Sequence, residues 1–175
     1  GKAGVYLFFV LSAWLLSHRA LAARAARGWD SGYWGGYLVR RVFRILPLYT
    51  LVLAFSAVAA FYGWGVWVVP LSWSEALRHL FMLEGRSVFW AIPVEFLFYA
   101  LLPLVLGMAV WLAGRSFALA LLLLLSLMIL PLLLPWGGVY RTNTINLWAY
   151  WPVFMAGMAL ALAGDYRPGA FARLL

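Results

Sequence analysis

Glu95 is a carboxylate inside an apolar run, five residues beyond Trp90, and Tyr99 follows one helical turn later on the same face. At about 1.5 Å per residue, Glu95 stands roughly 7–8 Å deeper than an interfacial Trp90. A carboxylate there must pair with a cation, face water or hold a proton. It could relay protons, fix a histidine in its working tautomer, or serve as the structural partner of an arginine. Arg41 and Arg44 are three apart and share one helix face. Guanidinium groups bind phosphate bidentately, so the pair could grip a pyrophosphate or a sugar phosphate. The plainer reading is a topology anchor. Arg40 points elsewhere on that helix and is the weaker ligand. His79, in the amphipathic stretch Arg78–Leu83, could be a general base or a structural side chain. Ser12 ends the apolar run Gly4–Ser12. It could bond back to its own helix, and as a nucleophile it has no base beside it. There is no cysteine, which excludes disulfides, thiol chemistry and Cys-ligated zinc, and no metal is expected.

The elements that would position these residues are read from composition. Hydrophobic residues make up 67% of the 175 and charged residues 10%, against about 25% charged in a soluble domain. The chain is therefore an integral membrane protein. The fold expected is all-α, a polytopic transmembrane bundle forming one domain over residues 1–175. Five spans are expected, at Ala3–Ser17, Ile45–Tyr62, Ala91–Trp111, Phe117–Leu134 and Trp148–Ala163. Ala76–Leu83 is too short to cross and reads as an interfacial helix. Pro103 should kink the third span.

The net charge of +8 could suggest nucleic acid. The arginines sit instead in short loops beside apolar spans, as the positive-inside rule requires. Arg19, Arg24, Arg27, Arg40, Arg41, Arg44, Arg115, Arg167 and Arg173 fall on one side, and Lys2, Arg78, Arg86 and Arg141 on the other. The first side is assigned to the cytoplasm, with Gly1 outside. Tyr62, Trp64, Trp67 and Trp73 flank an outer connection, either as a headgroup belt or as a stacking platform for a sugar ring. The chain opens on Gly rather than Met, so it is expected to be a fragment lacking an upstream span. A signal peptide with a cleavage box at Ala20–Ala22 is the competing reading.

Taken together, these residues resemble the membrane acyltransferase 3 family, multi-span enzymes that acylate carbohydrates. Gly4-Val-Tyr-Leu-Phe-Phe-Val-Leu-Ser12 resembles the family's second-span signature, with Ala13-Trp14 where Gly-Phe is usual. Arg41-Val-Phe-Arg44-Ile-Leu-Pro47-Leu-Tyr49 is similar to its RxxR motif. Arg78-His79-Leu-Phe-Met-Leu83 resembles the stretch before the next signature. Trp90 through Pro103 resembles that signature, with Ala91 for Ser/Thr and Ile92 for Leu, and Phe154–Ala161 resembles a later span.

The resemblance implies transfer of an acyl group, acetyl above all, from cytoplasmic acyl-CoA to a hydroxyl of a carbohydrate or glycolipid, in a bacterial inner membrane. It implies a catalytic histidine on a span upstream of Gly1, and later spans beyond Leu175. Glu95 and His79 are the catalytic candidates within this chain. Arg41, Arg44 and Arg40 would hold the acyl-CoA, and Trp90, Tyr99 and Ser12 would contact substrate. The competing functions are a transporter or flippase with its site at Glu95, and an inactive family member.

Overall fold

The computed structural model describes residues 2–64, 69–133 and 144–166. Gly1, Trp67, Leu134, Arg141, Arg167 and Arg173, all used in the reading above, lie outside them. The described residues form six α-helices, α1 (Lys2–Arg27), α2 (Ser31–Phe61), α3 (Trp73–Leu80), α4 (Ala91–Ala113), α5 (Phe117–Leu133) and α6 (Trp151–Tyr166). A single 3-10 turn, Leu147–Ala149, leads into α6. The all-α membrane bundle is thus observed, but not as five equal spans. Ala3–Arg27, Ser31–Phe61 and Ala91–Ala113 are long and apolar enough to cross a membrane, whereas Phe117–Leu133 and Trp151–Asp165 are apolar but shorter. The 17 described residues of α5 cover about 25 Å.

The ends of the helices follow from local chemistry. α1 does not stop at Ser17, because the alanine-rich segment that follows is strongly helix-forming. It closes with Arg24 and Arg27 in its last turn, where cations suit the carbonyl end. Gly28 then adopts φ +78°, and its N–H donates to the Arg24 carbonyl at 2.9 Å, a left-handed helix cap. α2 begins at Ser31 rather than Ile45, since the Asp30 carboxylate accepts the Tyr33 N–H at 2.6 Å as its cap.

α3 is displaced from the expected Ala76–Leu83 because Ser72 caps it. Ser72 and Glu75 form a reciprocal capping box. α4 runs unbroken through Pro103. α6 starts at Trp151 rather than Trp148, because the Asn146 side chain takes the Trp148 N–H at 3.1 Å and winds a tighter turn there.

α1 lies closest to α6, and Gly157 is the reason. A methyl group at Gly157 would collide with the Val10 carbonyl oxygen and stand 2.9 Å from Ala13 Cβ. Small residues let membrane helices approach this closely. Stacked rings fill the core beside that contact: Phe154 against Phe9 at 4.7 Å and against Phe98 at 4.1 Å, and Trp90 against Tyr150 at 4.6 Å. A smaller core, with Tyr49, Leu53, Leu71 and Phe89, joins α2 to α3. α2 is 31 residues long, so about 30 Å of helix counted back from Phe61 ends near Arg41. The basic first turns of α2 therefore project beyond the hydrocarbon.

Candidate active site

α1, α2 and α4 enclose a cavity of about 440 Å³. Along α1 it is lined by Phe8, Leu11, Ser12, Leu15, Leu16 and Arg19, a spacing that marks one helix face. α2 contributes Arg41, Arg44 and Ile45, and α4 contributes Glu95 and Tyr99. Residues distant in sequence thus meet: Ser12, Arg41, Arg44, Glu95 and Tyr99 share one space.

Glu95 is only 4% exposed. Its Oε1 accepts a hydrogen bond from Ser12 Oγ at 3.2 Å and another from the Tyr99 hydroxyl. The two hydroxyl oxygens stand 3.4 Å apart. Ser12 therefore does not bond back to its own helix. Ser56 and Ser126 do, donating to carbonyls one turn earlier at 2.8 and 2.6 Å, whereas Ser12 crosses to α4. Among the described residues the ion pairs are Arg78–Glu84 and Arg86–Glu75, both away from this cavity. Glu95 is therefore not the structural partner of an arginine within ion-pair distance.

The Arg41 guanidinium lies against two neighbouring rings, 5.8 Å from the Tyr37 centroid and 5.7 Å from that of Tyr99. Such cation–π contacts fix the group without neutralising it. Its Nε is buried with no hydrogen-bond partner among the described residues. Tyr37 meets Tyr99 edge-on at 6.4 Å. Arg19, seven residues after Ser12 and so on the same face of α1, adds a third guanidinium to the cavity wall. Along α1, Ser12 and Arg19 are separated by about 10 Å, as two helical turns require, while Arg41 lies beside Tyr99.

Three other sequence candidates lie elsewhere. His79 is fully buried in the α2–α3 core, its ring 5.2 Å from Phe89 and its carbonyl accepting from the Tyr49 hydroxyl at 3.1 Å. Neither ring nitrogen has a partner among the described residues. Trp90 is in the aromatic core, stacked on Tyr150 and edge-on to Phe9 at 6.0 Å. Arg40 lines a separate cavity near the start of α2.

Sequence reasoning passed over Arg19 and Tyr37. Arg19 carried a signal, its seven-residue spacing from Ser12, which was read only as topology. Tyr37 carried one as well, four residues before Arg41 and on the same side of the helix.

A search of curated proteins and of solved structures finds no match. The acyltransferase 3 family model, described as an acyltransferase domain, matches residues 1–175. Of the motifs that carry the resemblance, this cavity brings together Ser12, the Arg41–Arg44 pair and Glu95 with Tyr99, and the chain belongs to the acyltransferase 3 family of membrane acyltransferases.

Proposed function

We propose that the protein transfers an acetyl group from a cytoplasmic acyl-CoA to a hydroxyl of a carbohydrate or glycolipid at the other face of a bacterial inner membrane. The observation that supports this is the shared cavity, which brings Arg19, Arg41 and Arg44 together with Ser12, Glu95 and Tyr99. The positive-inside rule puts the ends of α1 and α2 that carry these arginines toward the cytoplasm, where acyl-CoA is found. Arg41 and Arg44 take the donor phosphates, and the thioester reaches toward Glu95. The acceptor hydroxyl oxygen attacks the thioester carbonyl carbon, the C–S bond breaks, and the thiolate leaves. Glu95 takes the acceptor proton and returns it to the leaving thiolate, giving the free thiol, with Ser12 and Tyr99 holding its Oε1 in place. His79 has no part in this reading because it does not line the cavity.

The test is acetyl-CoA affinity, measured by isothermal titration on the purified protein, for Arg41→Ala, Arg44→Ala and their combination. A hydrogen bond to a charged group contributes about 1.5–3 kcal/mol, so each single substitution should weaken binding roughly 10- to 100-fold. Affinity preserved in the double variant would remove the basis of the proposal.

A further inference from the structure

We propose that a second cavity, at the junction of α1 and α2, binds the phosphate of an anionic phospholipid. It measures about 400 Å³ and is lined by Arg27, Gly28, Asp30, Gly32, Tyr33 and Arg40. Two guanidinium groups converge there from different helices. Arg40 reaches it by folding back one turn: its Nη1 lies 2.9 Å from where a methyl group on Gly36 would be. Arg27 sits 5.5 Å over the Tyr33 ring. Among the described residues neither arginine has an ion pair. The Asp30 carboxylate is committed to capping α2 through the Tyr33 N–H at 2.6 Å.

Two features select a lipid over a soluble anion. The first is charge. Two arginines and one aspartate leave one net positive charge in the cavity, which balances a phosphodiester monoanion and not a polyphosphate. The second is what adjoins it. From Arg40 the exposed face of α2 continues into Phe43, Leu48 and Leu51, which are 74%, 67% and 67% exposed. A headgroup at Arg40 would let its acyl chains lie along that apolar stripe. Trp29, Tyr33 and Trp34 cluster beside the cavity, with ring centroids 4.9–5.1 Å apart. Trp29 is fastened by its Nε1 to the Ala20 carbonyl at 2.8 Å. Aromatic rings of this kind mark headgroup level, and basic pockets at helix ends bind anionic headgroups.

Native mass spectrometry of the full chain, exchanged into dioleoyl phosphatidylglycerol or dioleoyl phosphatidylcholine, tests the site. Wild type should retain the anionic lipid in preference to the zwitterionic one. Arg27→Gln/Arg40→Gln should lower that retention about tenfold or more. Asp30→Asn keeps a capping side chain and removes the negative charge, so it should raise retention roughly twofold or more. That opposite sign separates lost binding from lost folding. Retention unchanged in both variants overturns the proposal. So does displacement of the lipid from wild type by inorganic pyrophosphate, which would assign the cavity to a soluble anion. Neither result bears on the acetyl-CoA affinities of the Arg41 and Arg44 variants, since neither residue lines this cavity.

Discussion

Gly157→Ala and Gly107→Ala make the same chemical change in two membrane helices and should act in opposite directions. At Gly107 the new methyl meets nothing within 4 Å. Its main effect is on the backbone, where replacing a helical glycine by alanine stabilises by about 0.5–1 kcal/mol. At Gly157 the methyl stands 2.9 Å from Ala13 Cβ and 3.0 Å from the Trp14 nitrogen, where carbon contacts settle at about 3.5–4.0 Å. The Val10 carbonyl oxygen is closer still, so α1 and α6 must part by about 1 Å or more to accommodate the methyl. Overpacking costs about 1–3 kcal/mol, which the backbone gain only partly offsets. A net loss of about 1–2 kcal/mol lowers the melting temperature by roughly 2–8 °C for a chain of this size.

Ser12 lies between Val10, Ala13 and Trp14, the residues Gly157 touches. The displacement should therefore also disturb its 3.2 Å bond to Glu95. Thermal unfolding in one detergent, followed by tryptophan fluorescence, gives the comparison. The expected order is Gly107→Ala at or above wild type and Gly157→Ala below it. If Gly157→Ala melts at or above wild type, or both variants shift the same way, the account of α1–α6 packing is wrong.

Tyr99→Phe keeps the ring beside Arg41 and removes the hydroxyl that donates to Glu95. Acetyl-CoA affinity should stay within about twofold while turnover falls roughly 10- to 100-fold, and a matching loss of affinity would refute the division of roles. Phe154→Ala opens the ring stack with Phe9 and Phe98; a loss of about 3–5 kcal/mol is expected, read as reduced melting temperature, and a loss below about 1 kcal/mol would contradict the packing. Glu75 is held below its ordinary carboxyl value of 4.5 by hydrogen bonds from the Ser72 backbone and side chain. A depressed folded value means that the cap contribution is complete above that ordinary value and is lost as pH falls through the lowered one. Amide exchange at the start of α3, corrected for intrinsic rates, should accelerate in acid, and Glu75→Gln, which removes the titrating group, should abolish that pH dependence.

The sequence was most legible where a residue is costly. A carboxylate and two arginines set beside apolar runs could be picked out before any fold was known, because the bilayer makes each expensive. Helical spacing was enough to pair Glu95 with Tyr99 and Arg41 with Arg44. Which helix faces which was not legible. The Ser12–Glu95 bond spans 83 positions, and no periodicity encodes such a distance. Hydropathy also concealed helix length. Hydropathy starts this span at Ile45, yet the Asp30 cap starts α2 at Ser31. The same omission hid Tyr37, which lies in that unrecognised stretch. His79 was ambiguous in sequence because an amphipathic eight-residue helix presents the same pattern whether its histidine meets a ligand or a core.

The two rings that hold Arg41 also bear on the heat and entropy of binding. A free arginine side chain carries about 2 kcal/mol of rotamer entropy, most of which is normally lost when it closes on an anion. Tyr37 on α2 and Tyr99 on α4 both lie against this guanidinium, so part of the ordering cost is met when the helices assemble. An anion arriving at Arg41 finds a donor fork already oriented. At Arg44, for which no such ring contact is described, it must still select a rotamer. If the pair takes the donor phosphates as proposed, Arg41 should contribute chiefly through enthalpy and Arg44 with an opposing entropy.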